Sequence, residues 1–257
     1  MCRLSLIAVL PVVLAFSTLS VAANQPPNDP QALAFVAKSS AFLTGGTPIS
    51  DVVLTGNVAR TLGSDTDTGT ATFLAKGETE SRVDLDLGGS KRSDVRNSSN
   101  GAPRGTWSID GGKSVPYALH NCLTNNSWFF PALSSLSALD PNTVFSYVGL
   151  EKRGNFSVQH IRSYQYGAIP SAQLSTMDFY LDAATLLPIA ITFNVHPDVD
   201  ANINIPAEVD FSNYQLVNGL AVPLHVQQYL QGGLFLDAVF TNVVVNSGLP
   251  DSDFIIQ

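Results

Sequence analysis

Residues 207–254 read AEVDFSNYQLV, NG, LAVPLHVQQYLQ, GG, LFLDAVFTNVVVN and then SGLPDSDF. Strand-forming runs are cut twice, at Asn218-Gly219 and at Gly232-Gly233. Such dipeptides accept the positive φ of two-residue hairpin loops. The segment therefore predicts a three-stranded antiparallel meander, and it constrains the rest of the chain to be mainly β. Straight two-residue loops would pair Val217 with Leu220, Phe211 with Val226, Gln231 with Leu234 and Val226 with Val239. Side chains alternate across a strand. One face then carries Val209, Phe211, Val222, Leu224, Val226, Leu230, Phe235, Val239 and Val243, and it is the expected core face. The opposite face carries Tyr214, His225, Leu236 and Phe240 among polar neighbours.

The same hairpin rhythm runs through the preceding chain. Strands are predicted over 50–61, 68–76, 80–87, 91–97, 106–109, 113–119, 143–150, 157–165, 173–181 and 187–195, separated by turn-forming clusters. The overall expectation is a curved antiparallel sheet of about eleven strands, covered by one or two helices. Asp29-Pro30 is an N-cap followed by proline at the first helical position. Leu33, Val36, Ser40 and Leu43 then recur on one helical face, and Gly45-Gly46 ends the helix. A second helix is expected over 127–136 (SWFFPALSSL), where Trp128, Phe129, Phe130, Leu133 and Leu136 are apolar. It reads either as a core helix or as a lid over an apolar cavity.

Arg3, the apolar run 4–16 and the small residues Ser20-Val21-Ala22-Ala23 predict a secretory signal peptide over 1–23. The mature chain, 24–257, is then one domain in the periplasm or outside the cell. Of the two cysteines, Cys2 leaves with the signal, and Cys122 has no partner for an internal disulfide. The 257 residues are 45% hydrophobic and 13% charged, with a formal net charge of −8. That balance argues against a nucleic-acid partner, which needs clustered Lys and Arg.

Three short segments carry a resemblance. Asp182 to Ile189 (DAATLLPI) joins two predicted strands, Tyr214 to Pro223 is YQLVNGLAVP, and Asn246 to Phe254 is NSGLPDSDF. With a leading helix and a helical insertion in a long meander, this pattern resembles the periplasmic lipoprotein carriers, the LolA/LolB-like superfamily, over residues 177–254. The resemblance implies an incomplete β-barrel whose concave apolar face is covered by helices and holds a lipid or a lipoprotein acyl chain. Leu33, Val36, Trp128, Phe129, Phe130, Leu133, Leu136, Phe193, Phe211, Leu224 and Val226 would line it. Arg60 is the nearest counterpart of the early-strand arginine that helps hold the carriers' lid. Transient contact with a membrane or an envelope protein is implied as well.

The residues themselves suggest no catalysis and call for no cofactor. The four histidines, His120, His160, His196 and His225, lack metal-ligand spacing, and His160 and His225 are expected to be solvated or at a rim. No G-x-S-x-G elbow is present. Asp65, Asp67, Asp198 and Asp200 read as turn residues rather than a calcium loop. Phe254 reads as an apolar anchor. Two functions remain open: a carrier with an apolar ligand, or a non-catalytic structural or interaction module with a filled core.

Overall fold

The computed structural model describes residues 25–98, 101–124, 126–134, 139–167 and 172–256. Among them, one helix of fifteen residues, α1 (Pro30–Thr44), precedes the strands. These are β1 (Asp51–Leu62), β2 (Asp65–Lys76), β3 (Glu80–Asp86), β4 (Lys91–Asn97), β5 (Arg104–Ile109) and β6 (Val115–Pro116), followed by a 3-10 turn at Leu119–Cys122 and α2 (Pro131–Ser134). Then come β7 (Thr143–Arg153), β8 (Phe156–Gln165), α3 (Ala172–Ser175), β9 (Met177–Asp182), β10 (Pro188–Val195), β11 (Ile205–Val217), β12 (Leu220–Leu230) and β13 (Gly233–Val245). A 3-10 turn at Asp251–Phe254 follows.

All thirteen strands form one antiparallel sheet in the order β6-β5-β4-β3-β2-β1-β13-β12-β11-β10-β9-β8-β7. The sheet is curved and is not closed into a barrel. The chain lays six strands outward from β1, crosses to the far edge, and returns to pair β13 with β1. The thirteen strands match in number the segments named individually from the sequence and exceed the overall count of about eleven. The expected strand 173–181 starts with α3, and the expected strand 113–119 shrinks to β6. The second helix is described only over Pro131–Ser134; residues 126–129 form a turn, and Leu136 lies outside the described residues. Proline at the start of α2 accounts for this boundary, since it cannot donate back into a preceding turn.

Asp29 ties α1 to the edge strand β7. Its Oδ1 accepts from the Gln31 N–H at 2.7 Å, and its backbone N–H donates to the Phe145 carbonyl at 2.9 Å. The Asn28 side chain accepts from the Phe145 N–H at 2.6 Å. These bonds occupy edge groups that would otherwise template another strand. Val36 and Leu43 are buried on α1 as expected, while Ala32 and Ser39 are buried in place of Leu33 and Ser40, which are half-buried.

Two hairpin loops set the end of the chain. Asn218-Gly219 gives the expected Val217–Leu220 and Phe211–Val226 pairs. The second loop is Gln231-Gly232, both at positive φ, so Leu230 pairs with Gly233 and Tyr229 with Leu234; one extra residue beyond them then sets Val226 opposite Ala238 instead of Val239. Irregularities then leave Phe235 and Thr241 without a partner in the ladder. Each extra residue shifts the alternation by one position. Leu236, Ala238 and Phe240 are therefore buried, whereas Val239 is 43% exposed, the reverse of the expected faces.

The main core fills the concave face under the helical segments. Phe73 is fully buried at its centre, with ring centroids 5.0 Å from Phe129 and 5.1 Å from Phe240 in edge-to-face geometry. Burying one such side chain contributes about 1.5–3 kcal/mol. Phe254 is fully buried, as its reading as an anchor required.

The three segments behind the resemblance are structural devices. Asp182 Oδ1 accepts from the Ala184 and Thr185 N–H groups at 3.0 and 2.8 Å. The Tyr214 hydroxyl donates to the Pro188 carbonyl at 2.7 Å, joining the first segment to the second. Asn246 Oδ1 accepts from the Ser50 N–H at 2.8 Å, and Asp51 accepts from the Ser247 and Gly248 N–H groups. The last two bonds fasten the end of β13 to the start of β1.

Candidate functional site

Strand alternation places Arg60 on β1, Val83 and Leu85 on β3, Arg92, Asp94 and Arg96 on β4, and Leu230, Phe235 and Leu236 on the last hairpin around one cavity of about 400 Å³. Tyr117, Asn121, Trp128, Val195, His196, Asp198 and Gln228 complete the lining, with Ser81. The wall is apolar and aromatic, and the polar groups gather along β4 and the connection that follows β6.

Most of that polar group is satisfied internally. Arg92 donates from Nε and Nη2 to Asp94 at 2.7 and 2.8 Å, and from Nη2 to the Tyr117 hydroxyl at 2.9 Å. The Tyr117 hydroxyl also donates to Asp94. Burial, and then the Asp94 charge, push the Tyr117 hydroxyl well above its ordinary pKa, so it keeps that proton. Arg92 stacks on Trp107 and Arg96 on Tyr117, at 4.8 and 5.6 Å from the ring centroids. Asp198 accepts from the Asn121 amide at 3.1 Å and from the Ala118 N–H at 3.3 Å.

Among the described residues two buried atoms of the lining have no hydrogen-bond partner. Arg60 Nε is buried without a hydrogen-bond partner, its guanidinium 5.8 Å from the Phe235 ring. Burial, then the like charge of Arg92, lower its pKa; guanidinium nonetheless stays charged in proteins. His196, only 4% exposed, is within 3.0 Å of the Ile203 carbonyl through Nδ1, and its Nε2 has no partner. A carbonyl can only accept, so Nδ1 carries the proton in that bond.

No protein-family model matches the sequence, and no curated protein matches it. Solved structures do match. A LolA superfamily protein from Nitrosomonas europaea aligns with 11% identity and a TM-score of 0.57, covering 88% of this chain and 97% of its own. The fold is LolA-like. A domain from Vibrio parahaemolyticus described as an outer membrane lipoprotein-sorting protein aligns with 13% identity and a TM-score of 0.56, over 87% of this chain and 96% of its own. A DUF1329 family protein from Desulfovibrio piger gives 13% identity, a TM-score of 0.57, and coverage of 87% and 97%.

Within this LolA-like sheet the residues expected to line a cleft take different places. Phe129, Phe130, Leu133 and Val226 are fully buried, and Phe193 and Phe211 nearly so, all in the main core. Leu224 is half-buried against it. Leu33 and Val36 pack with Phe145, Ile161 and Leu181 between α1 and β7–β9. The space between α1, α2 and those strands is only about 20 Å³. Trp128 alone of the described members of the set faces the larger cavity. The cavity's arginines escaped the sequence reading apart from Arg60, because they sit on different strands and share no motif.

The histidines also differ from expectation. His160 is 6% exposed, not solvated, and lies on the opposite face between Glu151 and Asp178 at 2.7 and 2.8 Å. Arg162 shares Asp178. His225 is half-buried and bonds Asp237 at 2.6 Å. Cys122 is a buried free thiol whose pKa is raised by burial, as befits a small core side chain. Among the described residues no helix is long and apolar enough to cross a membrane, and no group of three or more potential ligands is placed to hold a metal.

Proposed function

We propose that this chain is a binding or carrier protein of the cell envelope, exported by the segment 1–23, that holds an apolar ligand on the concave face of its sheet. The observation that carries this reading is the cavity of about 400 Å³ walled by Val83, Leu85, Trp128, Leu230, Phe235 and Leu236. Small-molecule pockets are concave, mostly apolar, and about 300–1,000 Å³ in volume. The cavity is at the lower end of that range, which suits one acyl chain better than a bulky multi-chain lipid. Binding there would draw on apolar burial of about 25 cal/mol per Å². The LolA-like fold, and the lipoprotein sorting ascribed to one structural neighbour, agree with it. Native mass spectrometry of protein purified from a secreting host, without detergent, should show a co-purified lipid or acyl species. N-terminal sequencing of the exported product should start near Asn24.

A second reading is a non-catalytic interaction module with a filled interior. It is favoured by the close packing between α1, α2 and β7–β9, where no acyl chain fits. Protein that carries no lipid from its host and takes up none in solution would decide for this reading.

A further inference from the structure

The cavity holds more chemistry than an apolar ligand needs. Of the three buried side-chain polar atoms without a partner among the described residues, two, Arg60 Nε and His196 Nε2, belong to residues of its lining. Leaving a buried polar atom unpaired is costly, and a charged group costs more. The two carboxylates in the same lining are already engaged, Asp94 by Arg92 and Tyr117, and Asp198 by Asn121 and the Ala118 N–H. Among the described residues Arg96 has one hydrogen bond, to the Thr124 hydroxyl at 3.4 Å, and its guanidinium lies over the Tyr117 ring. Three arginines against two aspartates leave the lining one positive charge in excess, and Arg60, unpaired at Nε, is placed to offer it beside the apolar wall. A guanidinium is suited to carboxylate and phosphate oxygens.

We propose that the cavity binds an amphiphile with an anionic head group, its acidic oxygens on Arg60 and its chain along Trp128, Leu230 and Phe235. This rests on the carrier reading above and adds the head-group selection. The shared chemistry is an anionic oxygen on a single apolar chain, from a fatty acid or from a lipid phosphate. His196 Nε2, left as an acceptor by the proton on Nδ1, meets a hydroxyl of the same head group or a water bound to it.

The test uses the mature protein and three single-chain probes of equal length, dodecanoate, dodecyl phosphate and dodecanol, titrated by calorimetry at low salt. Both anions, or one of them, should bind roughly tenfold or more tightly than the alcohol, because charge-assisted hydrogen bonds are the strong ones. The tighter anion identifies the source. Arg60→Met should remove most of that preference, read as the ratio of anion to dodecanol affinity within each variant, and Arg60→Lys should restore part of it. Equal binding of acid and alcohol by the wild-type protein, which requires no variant to fold, overturns the head-group assignment and leaves the carrier reading standing. A preference that persists in Arg60→Met likewise overturns the role of Arg60. Failure of all three probes to bind overturns both.

Discussion

The β1–β13 seam joins the two halves of the sheet, and at Gly56 it leaves no room for a side chain. A Cβ added there would sit 2.1 Å from the Val239 carbonyl oxygen, 2.6 Å from Phe240 Cα and 2.8 Å from the Val239 carbonyl carbon. All three are backbone atoms and cannot swing aside. Gly56→Ala must therefore push the strands apart at the bulge opposite Thr241. Forced overpacking costs about 1–3 kcal/mol, and three simultaneous backbone clashes place it at the upper end. Restricting the unfolded chain returns only about 0.4–1 kcal/mol. The expected net loss is about 2 kcal/mol, or about 4–8 °C in Tm for a domain of this size. Gly233→Ala is the control. Its nearest contact is the Leu230 carbonyl oxygen at 3.5 Å, an ordinary distance, and its φ is not positive. It should be neutral or slightly stabilising. Urea unfolding followed by tryptophan emission should show a lower midpoint for Gly56→Ala with an unchanged slope. A Gly56→Ala midpoint equal to that of Gly233→Ala would refute the bulged register of the seam.

The same register separates two adjacent residues: Phe240→Ala should cost about 3–5 kcal/mol and Val239→Ala under about 1 kcal/mol, measured by the same unfolding curves. Comparable losses at both positions would contradict it. On the outer face, burial and then the neighbouring Glu208 push the Asp210 carboxyl up to about 7. A folded pKa above the ordinary 3.8 gives stability that is complete below 3.8 and is lost as the pH rises through about 7. Asp210→Asn should remove that decline, so its advantage over the wild type should grow from pH 4 to pH 8; a constant difference across that window would refute the shift.

The first hairpin was legible because Asn-Gly fixes both residues of its loop. The second was not, because three neighbouring residues, Gln231, Gly232 and Gly233, offered two possible loops. Glutamine at positive φ gives no signal in sequence, and the choice moved the partner of Tyr229 by two residues, to Leu234, before the bulge at Phe235 took one back. The bulges at Phe235 and Thr241 fall on ordinary strand residues, so nothing in the sequence marked the switch that buried Leu236 and Phe240. The short turn segments around Asp182, Tyr214 and Asn246 did point to the right fold, since their hydrogen bonds are local and tied to residue type. The cavity is the opposite case. Arg60, Trp128, His196 and Phe235 meet only through sheet curvature and a loop crossing, and apolarity alone could not separate its wall from the filled core around Phe129 and Phe130.

The most direct test of the account is whether an apolar chain reaches Trp128. In a Trp107→Phe background Trp128 is the only tryptophan, and it lies between the core at Phe73, 6.1 Å between ring centroids, and the cavity. Titration with a fatty acid brominated along its chain should quench Trp128 emission saturably, at one ligand per protein, and an unbrominated chain should reverse the quenching by competition. Emission that stays unchanged up to the concentration at which the probe forms micelles would contradict an apolar site on the concave face.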